Sequence, residues 1–186
     1  MPISTNESVI AATHAWVEHA VIGLNLCPFA RSVQIKNQIR YVVSEAHDEA
    51  GLLEDLRGEL NRLANTSCDE IETTLLIHPQ LLPDFLDFNE FLDAAEAAVT
   101  ALGYDGVLQL ASFHPHYQFA GTAAADVTNA TNRSPYPTLH LLREESIDRA
   151  VAAFPAPETI FQNNMLTLQT LGAAGWAELQ RLFQAR

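Results

Sequence analysis

Apolar residues recur at three- and four-residue spacing in several segments of this chain, a pattern typical of helices with one buried face. The first segment covers about residues 9–24, and Ser4 and Glu7 in front of it have the spacing of a capping box. Two further segments with the same periodicity cover about residues 52–63 and 88–102. Near the end of the sequence, helices are predicted at about residues 145–153, 158–171 and 174–184.

Four shorter runs are apolar, partly β-branched and bounded by polar or turn-forming residues, as strands are. They cover residues 39–44, 72–77, 107–112 and 138–142. Because these runs alternate with helical segments, the sequence predicts an α/β or α+β fold: a mixed sheet of about four strands covered by helices. A ferredoxin-like elaboration is compatible with this pattern. No internal repeat, linker or composition break is present, so residues 1–186 are predicted to form a single domain.

The charge balance narrows the range of partners. The chain has a net charge of −13 and no Lys or Arg between Leu63 and Asn132. Such a surface repels phosphate backbones, so nucleic acid is not an expected partner. The first residues lack the basic and apolar regions of a signal peptide, and no apolar run approaches the roughly 18 residues that a bilayer crossing needs. We therefore expect a cytoplasmic protein without membrane contact, whose two cysteines are reduced thiols.

Residues 114–137 lack any sustained hydrophobic period and are rich in Pro, Thr, Asn, Ala and Gly. A loop of this length inside a compact domain is usually functional or mobile. We therefore expect functional residues in this segment and its flanks.

His114 and His116 stand where the third predicted strand enters that loop. In extended backbone, residues two apart project to the same side, so the two imidazoles can converge on one divalent transition metal such as Zn or Fe. An open catalytic site needs a third ligand, for which His140 in the next predicted strand is the strongest candidate, with Asp126 and Cys27 as alternatives. The structural alternative is that these histidines pack in the core and bond to backbone groups.

Cys27 and two arginines are the other candidates for chemistry. Cys27 follows the first predicted helix near Arg31 and is a better nucleophile candidate than Cys68, provided that an electropositive neighbour lowers its pKa. Arg133 and Arg143 offer planar, bidentate donors that suit an anionic small molecule. The alternatives are a buried, unreactive thiol and arginines that pair with neighbouring carboxylates.

Several blocks of the sequence resemble the bacterial family catalogued as domain of unknown function 1415, over almost the entire chain. These blocks are LNLCPFA at residues 24–30, SFHPHYQF at 112–119, NRSPYPTLHLLRE at 132–144 and the segment 164–172. They contain Cys27, His114, His116, Arg133, His140 and Arg143. The resemblance implies a relative but no reaction, because the family carries no assigned biochemical role.

Three functional hypotheses remain open at this point. The leading one is a metal-dependent small-molecule enzyme, with His114, His116 and His140 as ligands, Arg133 or Arg143 orienting an anionic substrate, and the pocket at the carboxyl ends of strands. The second is a metal-free enzyme with Cys27 as nucleophile, a histidine as base, and an arginine or backbone amide that stabilises the developing oxyanion. The third is a non-enzymatic binding or assembly protein.

Overall fold

The computed structural model describes residues 5–153, 156 and 159–184. Its strands are β1 (Ile39–Val43), β2 (Thr73–Ile77), β3 (Leu108–Phe113) and β4 (Thr138–Arg143). The α-helices are α1 (Asn6–Trp16), α2 (Ala30–Ile35), α3 (Glu49–Asn65), α4 (Phe85–Ala101), α5 (Glu144–Ala153) and α6 (Ile160–Gln180). A π-helical segment (Val17–Ile22) continues α1, and a 3-10 helix (Val127–Asn132) precedes β4.

The four strands form one sheet in the order β1-β2-β4-β3. β1 and β2 are parallel, whereas β4 runs antiparallel to both of its neighbours, β2 and β3. The predicted mixed sheet of four strands flanked by helices is therefore confirmed. The connectivity is not the β-α-β-β-α-β order of ferredoxin-like folds, because α4 separates β2 from β3, and no α-helix separates β3 from β4.

One face of the sheet, which we call the closed face, is covered by α3 and α4. The sheet contributes three leucines to this face: Leu76 on β2, and Leu139 and Leu141 on β4. The periodic apolar stripes of the two helices pack against them, through Leu52, Leu56, Leu60, Leu63, Phe88, Phe91, Ala95 and Ala98. These side chains are fully or almost fully buried, so this face is a continuous hydrophobic core.

The opposite face, which we call the open face, is covered by α1, its π-helical continuation, α2, α5 and α6. Its buried cluster is smaller and more aromatic, and it contains Trp16, Val17, Ala20, Leu26, Leu75, Ala130, Leu168, Trp176 and Phe183. Leu75 belongs to this cluster and Leu76 to the other because successive side chains of a strand point to opposite faces. The same alternation places His140, which pairs with Leu75, on the open face.

The start of α1 differs in detail from the prediction. Thr5 caps the helix, since its Oγ1 accepts a hydrogen bond from the Ser8 backbone N–H at 3.3 Å; the predicted cap residue, Ser4, lies outside the described residues. The helical path then widens into the π-helical segment and ends before Asn25, which has a left-handed φ of 54°. This turn redirects the chain toward the sheet.

The last part of the chain contains α5 and α6 instead of three separate helices. α6 is bent at Gly172, whose φ of 70° and ψ of 170° are not helical, and this bend stands where the sequence predicts a break. Pro155 and Pro157, which were expected to separate the preceding helices, lie outside the described residues. In the part of the chain that the structure describes, no helix is both long and apolar enough to span a membrane.

Candidate functional site

A cavity of about 360 Å³ lies on the open face, between the sheet and the helices α1, α2 and α5. Its floor is formed by residues from all four strands, namely Ile39, Thr73, Leu75, Gln109, Phe113, His140, Leu142 and Arg143. Its walls are mostly aliphatic and aromatic, and include Trp16, Val17, Val21, Phe29, Val33, Ile147 and Ala150. Cys27, Glu72 and Ser146 also line it. We call this space the sheet cavity.

Cys27 reaches the sheet cavity because the turn after the π-helical segment is held in place. The Asn164 side chain on α6 donates a hydrogen bond to the Leu26 carbonyl at 2.9 Å, and Leu26 itself is buried. Burial raises the pKa of the Cys27 thiol, and hydrogen bonds from the backbones of Phe29 and Ala30 partly oppose this effect. The resting side chain is therefore a thiol and not a thiolate at neutral pH.

His140 occupies the middle of β4 and is half-buried in the floor of the cavity. Its Nε2 lies 2.8 Å from Thr73 Oγ1, and the same hydroxyl lies 2.6 Å from the Leu141 carbonyl. The carbonyl can only accept, so the single hydroxyl proton goes to Leu141, and His140 Nε2 must be the donor to Thr73. Burial lowers the pKa of His140 to about 4, so the imidazole is neutral at pH 7 and its Nδ1 carries a lone pair.

Arg143 also lines the cavity, but its guanidinium is engaged elsewhere. Its Nη2 donates to the carbonyls of Leu63 at 2.8 Å, Thr66 at 2.7 Å and Ile71 at 2.8 Å. Carbonyls at the end of α3 lack partners within their own helix, so Arg143 satisfies the C-terminal end of α3. The expected role of Arg143 as a free anion anchor does not agree with these contacts.

The structure does not bring the three predicted metal ligands together. His114 directly follows Phe113, whose ring lies 5.8 Å from that of His140, so His114 points to the opposite, closed face. Its Nε2 donates to the Leu82 carbonyl at 3.1 Å and its Nδ1 accepts from the His116 backbone N–H at 3.0 Å. Both ring nitrogens are therefore used, which is the structural alternative that the sequence left open.

Among the described residues, the surroundings of His114 and His116 also do not form a metal site. The ring of His114 stacks on Phe88 with 5.2 Å between centroids, and burial lowers its pKa. His116 is exposed. Across residues 5–153, 156 and 159–184, no three His, Cys, Asp or Glu side chains are grouped so that they could hold a metal ion.

The long segment between β3 and β4 is folded around its own polar side chains. Asn129 is completely buried, and its Oδ1 accepts hydrogen bonds from the Phe119 backbone at 3.0 Å and from Thr122 Oγ1 at 2.8 Å. Asp126, the alternative metal ligand, instead accepts from the backbone N–H and the hydroxyl of Thr128. These bonds account for a segment without hydrophobic periodicity that is nevertheless ordered.

Arg133 stabilises the same segment. Its Nε donates to the Tyr117 carbonyl at 3.1 Å and its Nη2 to the Ala124 carbonyl at 2.7 Å. It is not among the residues that line the sheet cavity. The expectation that Arg133 holds an anion beside the histidines thus does not match its position. Its contacts instead hold two parts of the loop together.

Of the predicted site residues, the structure therefore brings Cys27, His140 and Arg143 to one cavity and leaves His114, His116 and Arg133 outside it. The sequence interpretation missed Thr73, which fixes the imidazole of His140, and Glu72 and Gln109, which line the cavity. Thr73 lies two residues before Leu75 and so on the same face of β2. That it lies beside His140 can be inferred only once the pairing of β2 with β4 is known.

Comparison with known proteins identifies the family. The family described as "Protein of unknown function (DUF1415)" matches residues 8–178. The chain belongs to this family, as its sequence blocks suggest. No curated protein and no solved structure matches the chain significantly.

Proposed function

We propose that this protein binds a mainly apolar small molecule in the sheet cavity. The observation that carries the proposal is that the distant blocks containing Cys27 and His140 line one cavity of about 360 Å³ whose other walls are largely aliphatic and aromatic. Small-molecule sites have volumes of roughly 300–1,000 Å³, with mostly apolar walls and a few polar groups that orient the ligand. The sheet cavity agrees with this description in both size and lining.

A three-histidine metal centre is not part of this proposal. The sheet separates His140 from His114, and both ring nitrogens of His114 are already bonded to the backbone. Of the predicted site residues, Cys27 and His140 can still act on a ligand, and both line the cavity on the open face.

A cavity-filling variant tests the proposal. Ala150 on α5 lines the cavity, whereas Ala152 on the same helix is exposed. We expect naphthalene-based probes to raise the melting temperature of the wild type and of the control Ala152→Phe. Ala150→Phe should lose this response, because its ring occupies the ligand volume. Equal responses in all three proteins, or none in the wild type, would contradict the proposal.

Thiol catalysis is a second candidate function, supported by the position of Cys27 and His140 in the lining of one cavity. Burial raises the pKa of the Cys27 thiol, and hydrogen bonds from the backbones of Phe29 and Ala30 partly oppose this effect and would stabilise the thiolate once it forms. For an apolar ester in the cavity, Sγ would attack the carbonyl carbon while His140 Nδ1 accepts the thiol proton. The S–C bond forms, the ester C–O bond breaks, and the released alcohol takes the proton from His140.

The ester 2-naphthyl acetate tests this second candidate. Thiol catalysis predicts a stoichiometric burst of 2-naphthol from the wild type and from Cys68→Ala, and none from Cys27→Ala. Release that is unaffected by Cys27→Ala would exclude Cys27 as the nucleophile and leave binding as the function of the cavity.

A further inference from the structure

His140 lines the sheet cavity, and its Nδ1 is an unused hydrogen-bond acceptor. Its Nε2–H is fixed on Thr73, whose own proton is fixed on the Leu141 carbonyl. Nδ1 is thereby held unprotonated, and no hydrogen bond from the described residues reaches it. A neutral imidazole with this tautomer can accept a hydrogen bond but cannot donate a second one.

The lining of the sheet cavity offers no free cation among the described residues. Glu72 contributes a carboxylate, whose Oε1 is 3.9 Å from an Arg149 nitrogen, and the guanidinium of Arg143 is bonded to backbone carbonyls at the end of α3. An anionic ligand would therefore meet one carboxylate and no guanidinium that is free to bind it.

We infer that the ligand is a neutral molecule with an apolar body and a hydroxyl group, an alcohol or a phenol, which donates a hydrogen bond to His140 Nδ1. This inference rests on the proposed binding function and differs from the anionic ligand that the sequence suggests. The apolar body contacts the walls from α1, α2 and α5, and Nδ1 determines which end of the molecule faces the floor.

Three probes with the same ring system test the inference: 2-naphthol, 2-methoxynaphthalene and 2-naphthoate. They differ in that the first donates a hydrogen bond, the second only accepts, and the third is an anion. We expect the wild type to bind 2-naphthol about three- to tenfold more tightly than 2-methoxynaphthalene, which corresponds to one hydrogen bond. Binding of 2-naphthoate should be weaker than that of 2-naphthol.

Variants assign the preference to the imidazole. In His140→Leu the two neutral probes should bind equally, and in Thr73→Val, which frees the tautomer, the preference should shrink. Cys68→Ala, which lies outside the cavity lining, should keep it. A wild type that binds the ether or the naphthoate at least as tightly as 2-naphthol overturns the inference but leaves the binding function intact. Loss of the preference only in Cys27→Ala would assign it to the thiol and also overturn the inference. Failure of all three probes to bind the wild type contradicts the binding function itself.

Discussion

The closed and open faces of the sheet each contain a half-buried or buried histidine, but the two are used differently. His114 on the closed face has both ring nitrogens bonded to backbone groups and a ring stacked on Phe88. His140 on the open face has one nitrogen fixed by Thr73 and the other without a hydrogen bond from the described residues, in a side chain that lines a cavity. The comparison teaches that the second ring nitrogen, and not burial alone, distinguishes a structural histidine from one that is available to a ligand.

Leucine truncation gives the largest expected difference between the two faces. Leu56 on the closed face is fully buried, whereas Leu142 is half-buried in the cavity floor. Leu56→Ala should lower the free energy of unfolding by about 3–5 kcal/mol, because it leaves a void in a close-packed core. Leu142→Ala should cost about half of that or less. Chemical denaturation measures both, and similar losses would show that the open face is packed as tightly as the closed one.

Replacing each histidine by leucine gives the next largest difference. His114→Leu leaves the Leu82 carbonyl and the His116 N–H without partners and should destabilise the protein by about 2–4 kcal/mol. His140→Leu should cost under about 1 kcal/mol, since the Thr73 hydroxyl still donates to Leu141. A larger loss at His140 than at His114 would reverse the assignment of structural and ligand-facing roles.

Acid sensitivity provides a smaller effect. The pKa of His140 is about 4 in the folded protein and near 6.5 when unfolded, so the unfolded state binds the extra proton as pH falls between these values. The contribution of His140 to the free energy of unfolding is therefore fully present above pH 6.5. Below that pH it decreases by about 1.4 kcal/mol per pH unit. Denaturation between pH 6.5 and 4.5 should show a shallower slope in His140→Leu. Identical slopes would indicate that His140 is hydrated through the cavity.

Cysteine reactivity should show the smallest effect. Burial raises the pKa of Cys27 and so reduces its thiolate fraction. We expect iodoacetamide to alkylate Cys27 at least severalfold more slowly than Cys68 at pH 8, and 2-naphthol to slow only Cys27. Peptide mass spectrometry separates the two sites. Faster alkylation of Cys27 would instead favour an activated thiol and the catalytic alternative.

The sequence allowed the strands to be predicted to within one residue, because each is a short apolar run between turn signals. It did not reveal which face each histidine takes. His114 directly follows β3 and His140 lies in β4, and the register of these two antiparallel strands, with Ala111 opposite His140, is fixed by tertiary pairing. Since one residue of register exchanges the faces, the three-histidine site was a reasonable expectation that the pairing overturns.

The sheet cavity itself was also beyond sequence reasoning. Its polar lining comes from Cys27 after the first helix and from His140 more than a hundred residues later. Cys27 was singled out by its loop position and residue type, and it lines this cavity. Its neighbours could not be known without the packing of α1 and α2 on the sheet.

The nitrogen NMR signals of the imidazole rings test the central claim most directly. In uniformly ¹⁵N-labelled protein at pH 7, His140 should be neutral with a proton on Nε2 and a lone pair on Nδ1. Addition of 2-naphthol should shift the Nδ1 signal of His140 and leave both signals of His114 unchanged. A proton on Nδ1 of His140, or a response at His114 without one at His140, would contradict the account.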